Sequence, residues 1–179
     1  MIVTVAGTPI SLQAVILLVT LVVPWLLLET WWSRRNEVAL RAAGAIEPAD
    51  DVYAWMRVVY PGMFAAMTLE GVMATPACST LLTLGVTVFL LAKLLKWWAI
   101  LSLGRFWSFY VLVLPGVPLV TGGPYRYLRH PNYVAVMGEI AGVALMMRAP
   151  FTGVAAALAF GALLAARIRV EDRLLRGTR

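Results

Sequence analysis

Five apolar blocks dominate the chain, running from about Ile10 to Leu28, Val58 to Met73, Leu81 to Leu101, Pro131 to Met147 and Phe151 to Ala166. A helix crossing a hydrocarbon core of roughly 30 Å needs about 20 residues at 1.5 Å each. Only structures that satisfy every backbone polar group internally can cross that core. The blocks therefore predict an all-α fold, a polytopic membrane helical bundle of about five transmembrane helices. A single integral membrane domain over residues 1–179 is expected. Blocks two, four and five are short and should extend into their flanks. Block two is the least regular, since Pro61, Gly62 and Glu70 fall inside it. A mean hydropathy of +0.84 with 61% hydrophobic residues excludes an ordinary water-soluble domain.

The basic residues set an orientation. Of the 15 Lys and Arg residues, all but Arg148, Lys93 and Lys96 fall in the first loop, the third loop or the tail. The positive-inside rule then predicts an outside N-terminus and a cytoplasmic C-terminus, in a membrane expected to be the bacterial cytoplasmic one. The net charge of +6 is thus explained by topology, with no nucleic-acid partner. The first block has no basic region before it and no small-residue cleavage site after it, so a retained helix is expected. Cys78 is the single cysteine, which excludes an intramolecular disulfide; it reads as a small residue in a short connection. In the first loop, Glu29 to Arg57, a short amphipathic helix over Ser33–Ala43 is expected, followed by a turn, as an interfacial connector.

Several chemistries are missing. No GxGxxG, P-loop, nucleophile elbow or zinc-spaced ligand cluster is present, so no metal is expected. The polar residues gather instead in the linker Gly123-Pro124-Tyr125-Arg126-Tyr127-Leu128-Arg129-His130-Pro131-Asn132-Tyr133, which holds the only histidine. Pro131 restricts His130 to extended geometry and suits the first turn of the next helix. That helix start offers free N–H groups to an anion, with His130 and Tyr133 beside it and Tyr125 available to a flat ring. One turn or two further on, Glu139 shares a stripe with Asn132, Ala135 and Gly142. This face suits a helix contact or a cavity, and Glu139 either serves a ligand or pairs with a basic neighbour. Arg167 and Glu171 are four apart on one face of the last helix. Lys93 and Lys96 read as snorkelling cations beside an aromatic belt at Trp97 and Trp98. Glu70 has no evident partner.

Three blocks in order carry a resemblance: Val117-Pro118-Leu119-Val120-Thr121-Gly122-Gly123-Pro124-Tyr125, then Arg129-His130-Pro131-Asn132-Tyr133, then Arg167 followed by Glu171-Asp172. From about Lys96 to Arg176 the chain resembles the isoprenylcysteine carboxyl methyltransferase family, integral membrane enzymes that use S-adenosylmethionine. Arg34-Arg35-Asn36-Glu37 and Glu139 also resemble a short bacterial branch associated with type III polyketide synthases. The resemblance implies a cofactor-binding and catalytic core over residues 104–176. It implies cofactor contacts from Val117, Pro118, Leu119, Val120, Tyr125, His130, Pro131, Asn132, Tyr133 and Glu171, with Arg167 facing the methyl acceptor. Glu139 is the candidate proton acceptor. The expected activity is O-methylation of a lipophilic carboxylate, enol or phenol, isoprenylcysteine- or alkylpyrone-like, entering from the bilayer. Asp172 departs from the family's second glutamate, which weakens any transfer of that acid's role. No long substrate-binding extension is present, which argues against prenylated proteins. Three alternatives remain: a phospholipid N-methyltransferase, an NADPH-dependent membrane reductase with a similar Arg-His-Pro-Asn-Tyr block, and a non-enzymatic membrane scaffold.

Overall fold

The computed structural model describes Ile16, residues 18–73 and residues 79–177. Cys78 and the first part of the first apolar block lie outside the described residues. A π-helical turn, Leu18–Val22, leads into α1, Val23–Ala42. Then follow α2, Tyr53–Met73, α3, Ser79–Leu103, α4, Pro131–Met147, and α5, Pro150–Gly177. No strand occurs among the described residues; an isolated antiparallel bridge joins Ile46 to Val113.

The expected amphipathic helix over Ser33–Ala43 is continuous with the helix before it. No Gly or Pro interrupts residues 25–42, and the left-handed Gly44 (φ +85°) follows the helix end. As expected of a short block, α5 extends beyond Ala166, and no Gly or Pro interrupts Arg167 to Arg176. Thr80–Phe106 and Pro150–Arg176 are long and apolar enough to cross a membrane, and Pro131–Met147 is a shorter apolar helix.

The closest helix contact joins α3 to α4. A Cβ on Gly142 would stand 2.7 Å from the amide nitrogen of Phe89 and 2.9 Å from the carbonyl of Gly85. Only glycine permits that approach, so the small-residue stripe on α4 is a helix contact. α5 packs against α2 and α4, and Phe64, Met67, Phe89, Ile140, Val143 and Phe160 fill the core between them. Glu70 has a partner after all: it accepts hydrogen bonds from the Phe151 and Thr152 amides and from the Thr152 hydroxyl. It thereby caps the free N–H groups at the start of α5.

One end of the bundle collects the connections between residues 43–52, residues 104–130 and the last turns of α5. Arg173 pairs with Asp50 at 2.9 Å, and Asn36 donates to the carbonyls of Gly104 and Trp107. That end builds the site.

Candidate active site

A cavity of about 640 Å³ opens at this end of the bundle, a size typical of small-molecule pockets. α1 contributes Leu26, Glu29, Thr30, Arg34 and Glu37 to its walls, and α2 contributes Met56, Arg57, Tyr60 and Pro61. Residues 106–114 and 117–120 run across it. The start of α4 and the second half of α5 complete the enclosure.

Ten of the twelve expected site residues stand in the wall, and they come from three separate stretches. Val117, Pro118, Leu119 and Val120 line it from the loop, Tyr125, His130, Asn132 and Tyr133 from the linker and α4, and Glu171 from α5. Arg167 is a tenth wall residue. Pro131 does not line the cavity; it is buried and starts α4, with the His130 carbonyl accepting the Tyr133 and Val134 amides. A hydroxyl chain joins the distant stretches. Tyr133 donates its O–H to Glu171 Oε1 and accepts from Arg167 Nε at 2.9 Å. The His130 ring stacks on Tyr133, with centroids 5.4 Å apart, and Nδ1 lies 3.4 Å from Glu171 Oε2. Asp172 lies 3.9 Å from His130 Nε2 and 3.5 Å from Arg129. Burial, reinforced by the Glu171 charge, pushes the Tyr125 phenol well above its ordinary range, so it stays protonated. The side-chain carbonyl of Asn132 is buried and has no hydrogen-bond partner, although such groups are normally paired.

Glu139 sits elsewhere. It is fully buried within a ring of four charges and is absent from the cavity wall. Lys93 Nζ lies 2.7 Å from Glu29 Oε1 and 2.9 Å from Glu139 Oε1, while Lys96 Nζ lies 2.7 Å from Glu29 Oε2 and 3.3 Å from Glu139 Oε2. Each lysine bridges both carboxylates, and Tyr60 adds its O–H to Glu139. The snorkelling expected of the lysines is therefore not what the fold shows. At 5% and 2% exposure they point inward, drawn by two acids. Glu139 thus has the basic neighbours that one of its two expected readings called for, and the pairing ties α4 to α3.

Two participants were not evident from the sequence. Asp51 contacts Arg167 at 3.3 Å, and Glu29 completes the charge ring from a third helix. Asp51 stands two residues before the start of α2, a position favoured by capping acids. That was the available signal for it; for Glu29 no signal existed in the local pattern.

Among the described residues, a helical bundle with many exposed apolar side chains and a largely apolar cavity, walled by a loop, a helix start and the tail of the last helix, defines the class. Residues 81–177 match the isoprenylcysteine carboxyl methyltransferase (ICMT) family, and the chain belongs to it. That membership makes it a relative of membrane methyltransferases. The chain is 33% identical over 143 residues to the uncharacterized protein YpbQ of Bacillus subtilis, covering 80% of this chain and 85% of YpbQ. An uncharacterized protein of Haemophilus influenzae is 24% identical over 141 residues, covering 78% and 82% of the two chains. The cobalt-zinc-cadmium resistance protein CzcN of Cupriavidus metallidurans is 32% identical over 114 residues, covering 63% of this chain and 47% of CzcN. No solved structure matches.

Proposed function

We propose that the protein is a polytopic membrane methyltransferase that moves a methyl group from S-adenosylmethionine to an oxygen of a lipophilic acceptor. The observation that carries this reading is the Tyr133–Glu171 hydrogen bond. It closes the start of α4 and the tail of α5 over one cavity, with Arg167 in the same wall.

The residues present fit the cofactor's chemistry. The unpaired Asn132 carbonyl is an acceptor suited to a ribose hydroxyl or an adenine amino group. Glu171 and His130 add polar contacts, the Asn132 amide in the first turn of α4 is left to a ligand acceptor, and Tyr125 and Val117 to Val120 offer apolar or aromatic surface to the adenine ring. When bound, S-adenosylmethionine supplies an electrophilic methyl on a sulfonium that leaves as a neutral thioether. The chain's own part is to hold the acceptor oxygen in line and to exclude water. Arg167, 4% exposed, brings a positive charge to the wall and orients or neutralises that oxygen. The chain has no metal-ligand cluster among the described residues, and this displacement requires none.

Membrane embedding in about five spans is supported by the bundle's outer faces. Val58 and Leu69 on α2, Leu91 and Leu94 on α3, and Val154 and Leu158 on α5 all point outward and exposed, as lipid-facing side chains do. The basic end carrying the site faces the cytoplasm in this reading, and the acceptor enters from the bilayer.

Titration of the detergent-purified protein with S-adenosylhomocysteine, followed by calorimetry and thermal shift, tests the cofactor. Proteoliposomes given radiolabelled S-adenosylmethionine and an S-prenylated N-acetylcysteine, a 6-alkyl-4-hydroxy-2-pyrone or a 5-alkylresorcinol test the acceptor. Binding of the homocysteine form and label in an O-methyl product are expected. Labelled phosphatidylethanolamine would shift the reading to N-methylation, and protection by NADPH alone would overturn it.

A further inference from the structure

Arg167 belongs to the last helix, yet its guanidinium is gripped by residues more than fifty positions away. Nη1 lies 3.3 Å from Asp51 Oδ1, and Nη2 donates to the carbonyl of Phe109. Asp51 Oδ1 also accepts the Tyr53 amide, and Oδ2 accepts the Val111 amide, both at 3.0 Å. One carboxylate thus reaches the first turn of α2, the segment that runs across the cavity, and the cation in the cavity wall. Rings close the same triangle: Tyr53 stacks on Phe109 with centroids 5.7 Å apart, and the Arg167 guanidinium lies 5.9 Å from the Tyr53 centroid. The Asp51 side chain is 6% exposed, sits beside Arg167, and does not itself line the cavity.

A long arginine side chain samples many rotamers unless its donors are taken. Here Nη1, Nη2 and Nε are all engaged by groups fixed on other elements. An asparagine could satisfy one of the amides that Asp51 accepts. The ionic contact to Arg167 needs the carboxylate.

We propose that Asp51 is a positioning residue, which holds Arg167 and the 107–113 segment as one unit against the cavity so that the cation meets the reacting oxygen. Its catalytic consequence rests on the methyltransferase reading; its structural half does not.

The test is a double-mutant cycle over Asp51→Asn and Arg167→Gln, read in two ways. Amide hydrogen exchange across residues 107–113 should rise in each single variant and no further in the double variant. In the acceptor assay with the alkylpyrone, prenylated cysteine and alkylresorcinol probes, Asp51→Asn should slow turnover at saturating acceptor by about 10²-fold, the scale of a misplaced catalytic group. It should leave S-adenosylhomocysteine affinity near wild type and add nothing once Arg167 is Gln. Asp51→Glu should recover part of the rate, and it carries the cycle if Asp51→Asn does not fold. Losses that multiply, or exchange in 107–113 that ignores Arg167→Gln, overturn the inference. A wild type that binds no S-adenosylhomocysteine overturns the methyltransferase reading instead, and the exchange cycle still decides whether Asp51 acts through Arg167.

Discussion

Lys93 and Glu29 stand sixty-four residues apart in sequence and 2.7 Å apart in the fold, in a place where neither side chain is more than 6% exposed. With Lys96 and Glu139 they form a ring of zero net charge joining α1, α3 and α4. Moving four charges out of water is costly, and their mutual attraction offsets that cost only while all four remain. Removing one leaves an uncompensated buried charge.

Glu29→Ala or Lys93→Ala should therefore destabilise the bundle by about 3–5 kcal/mol, the usual scale for a broken buried pair. The paired replacement Glu29→Met with Lys93→Met should cost much less than the two single losses combined. Thermal unfolding in detergent gives the comparison. A paired variant that loses the sum of the two single losses would show that the charges are not coupled.

Glu171 and Asp172 are adjacent acids with different surroundings. Glu171 takes the Tyr133 hydroxyl and lines the cavity, whereas Asp172 points toward Arg129 and does not line it. Glu171→Gln should weaken S-adenosylhomocysteine binding by about 10- to 100-fold, as expected for a lost hydrogen bond to a charged group at roughly 1.5–3 kcal/mol. Asp172→Asn should change it little. Isothermal titration separates the two, and equal effects would remove the asymmetry on which the cofactor reading depends.

Legibility divided along physical lines. The helix spanning Pro131–Met147 agreed with the expected bounds, because Pro131 restricts its start and the apolar run ends at Arg148 in the left-handed conformation. The linker residues and Arg167 with Glu171 could be singled out because each carries its chemistry in a short local pattern. Lys93, Lys96 and Glu70 were misread or left without partners because their contacts come from other helices. Lysines three residues apart beside two tryptophans look interfacial until Glu29 and Glu139 arrive from elsewhere. Asp51 offered only its place before α2, for the same reason. Its meaning depends on Arg167 lying beside it, 116 residues later.

Gly142 offers a steric test of the α3–α4 contact. Any Cβ there meets the Phe89 backbone at 2.7 Å, and backbone cannot step aside as a flexible side chain would. Gly142→Ala should already lower the unfolding temperature, and Gly142→Leu should lower it further, at an overpacking cost of about 1–3 kcal/mol or more. Gly62, which has open space where a Cβ would go, is the matched control. If Gly62→Ala and Gly142→Ala unfold alike, the close approach is not what the glycine secures.

Glu70 supplies the last test, because it separates folding from function within one pair of measurements. Its carboxylate holds the Phe151 and Thr152 amides at the start of α5, at the end of the bundle opposite the cavity. Those amides have no intrahelical partner, so Glu70→Ala leaves them to water or unsatisfied. Fraying at that end should lower the unfolding temperature of the detergent-solubilised protein. It should not reach Arg167 or Glu171, which lie more than four turns further along the same helix. S-adenosylhomocysteine affinity should stay at the wild-type value while thermal stability falls. Glu70→Gln, which keeps an acceptor for one amide, should fall between the two. A loss of ligand affinity in step with the loss of stability would mean that α5 moves as a rigid rod, carrying the site with its cap.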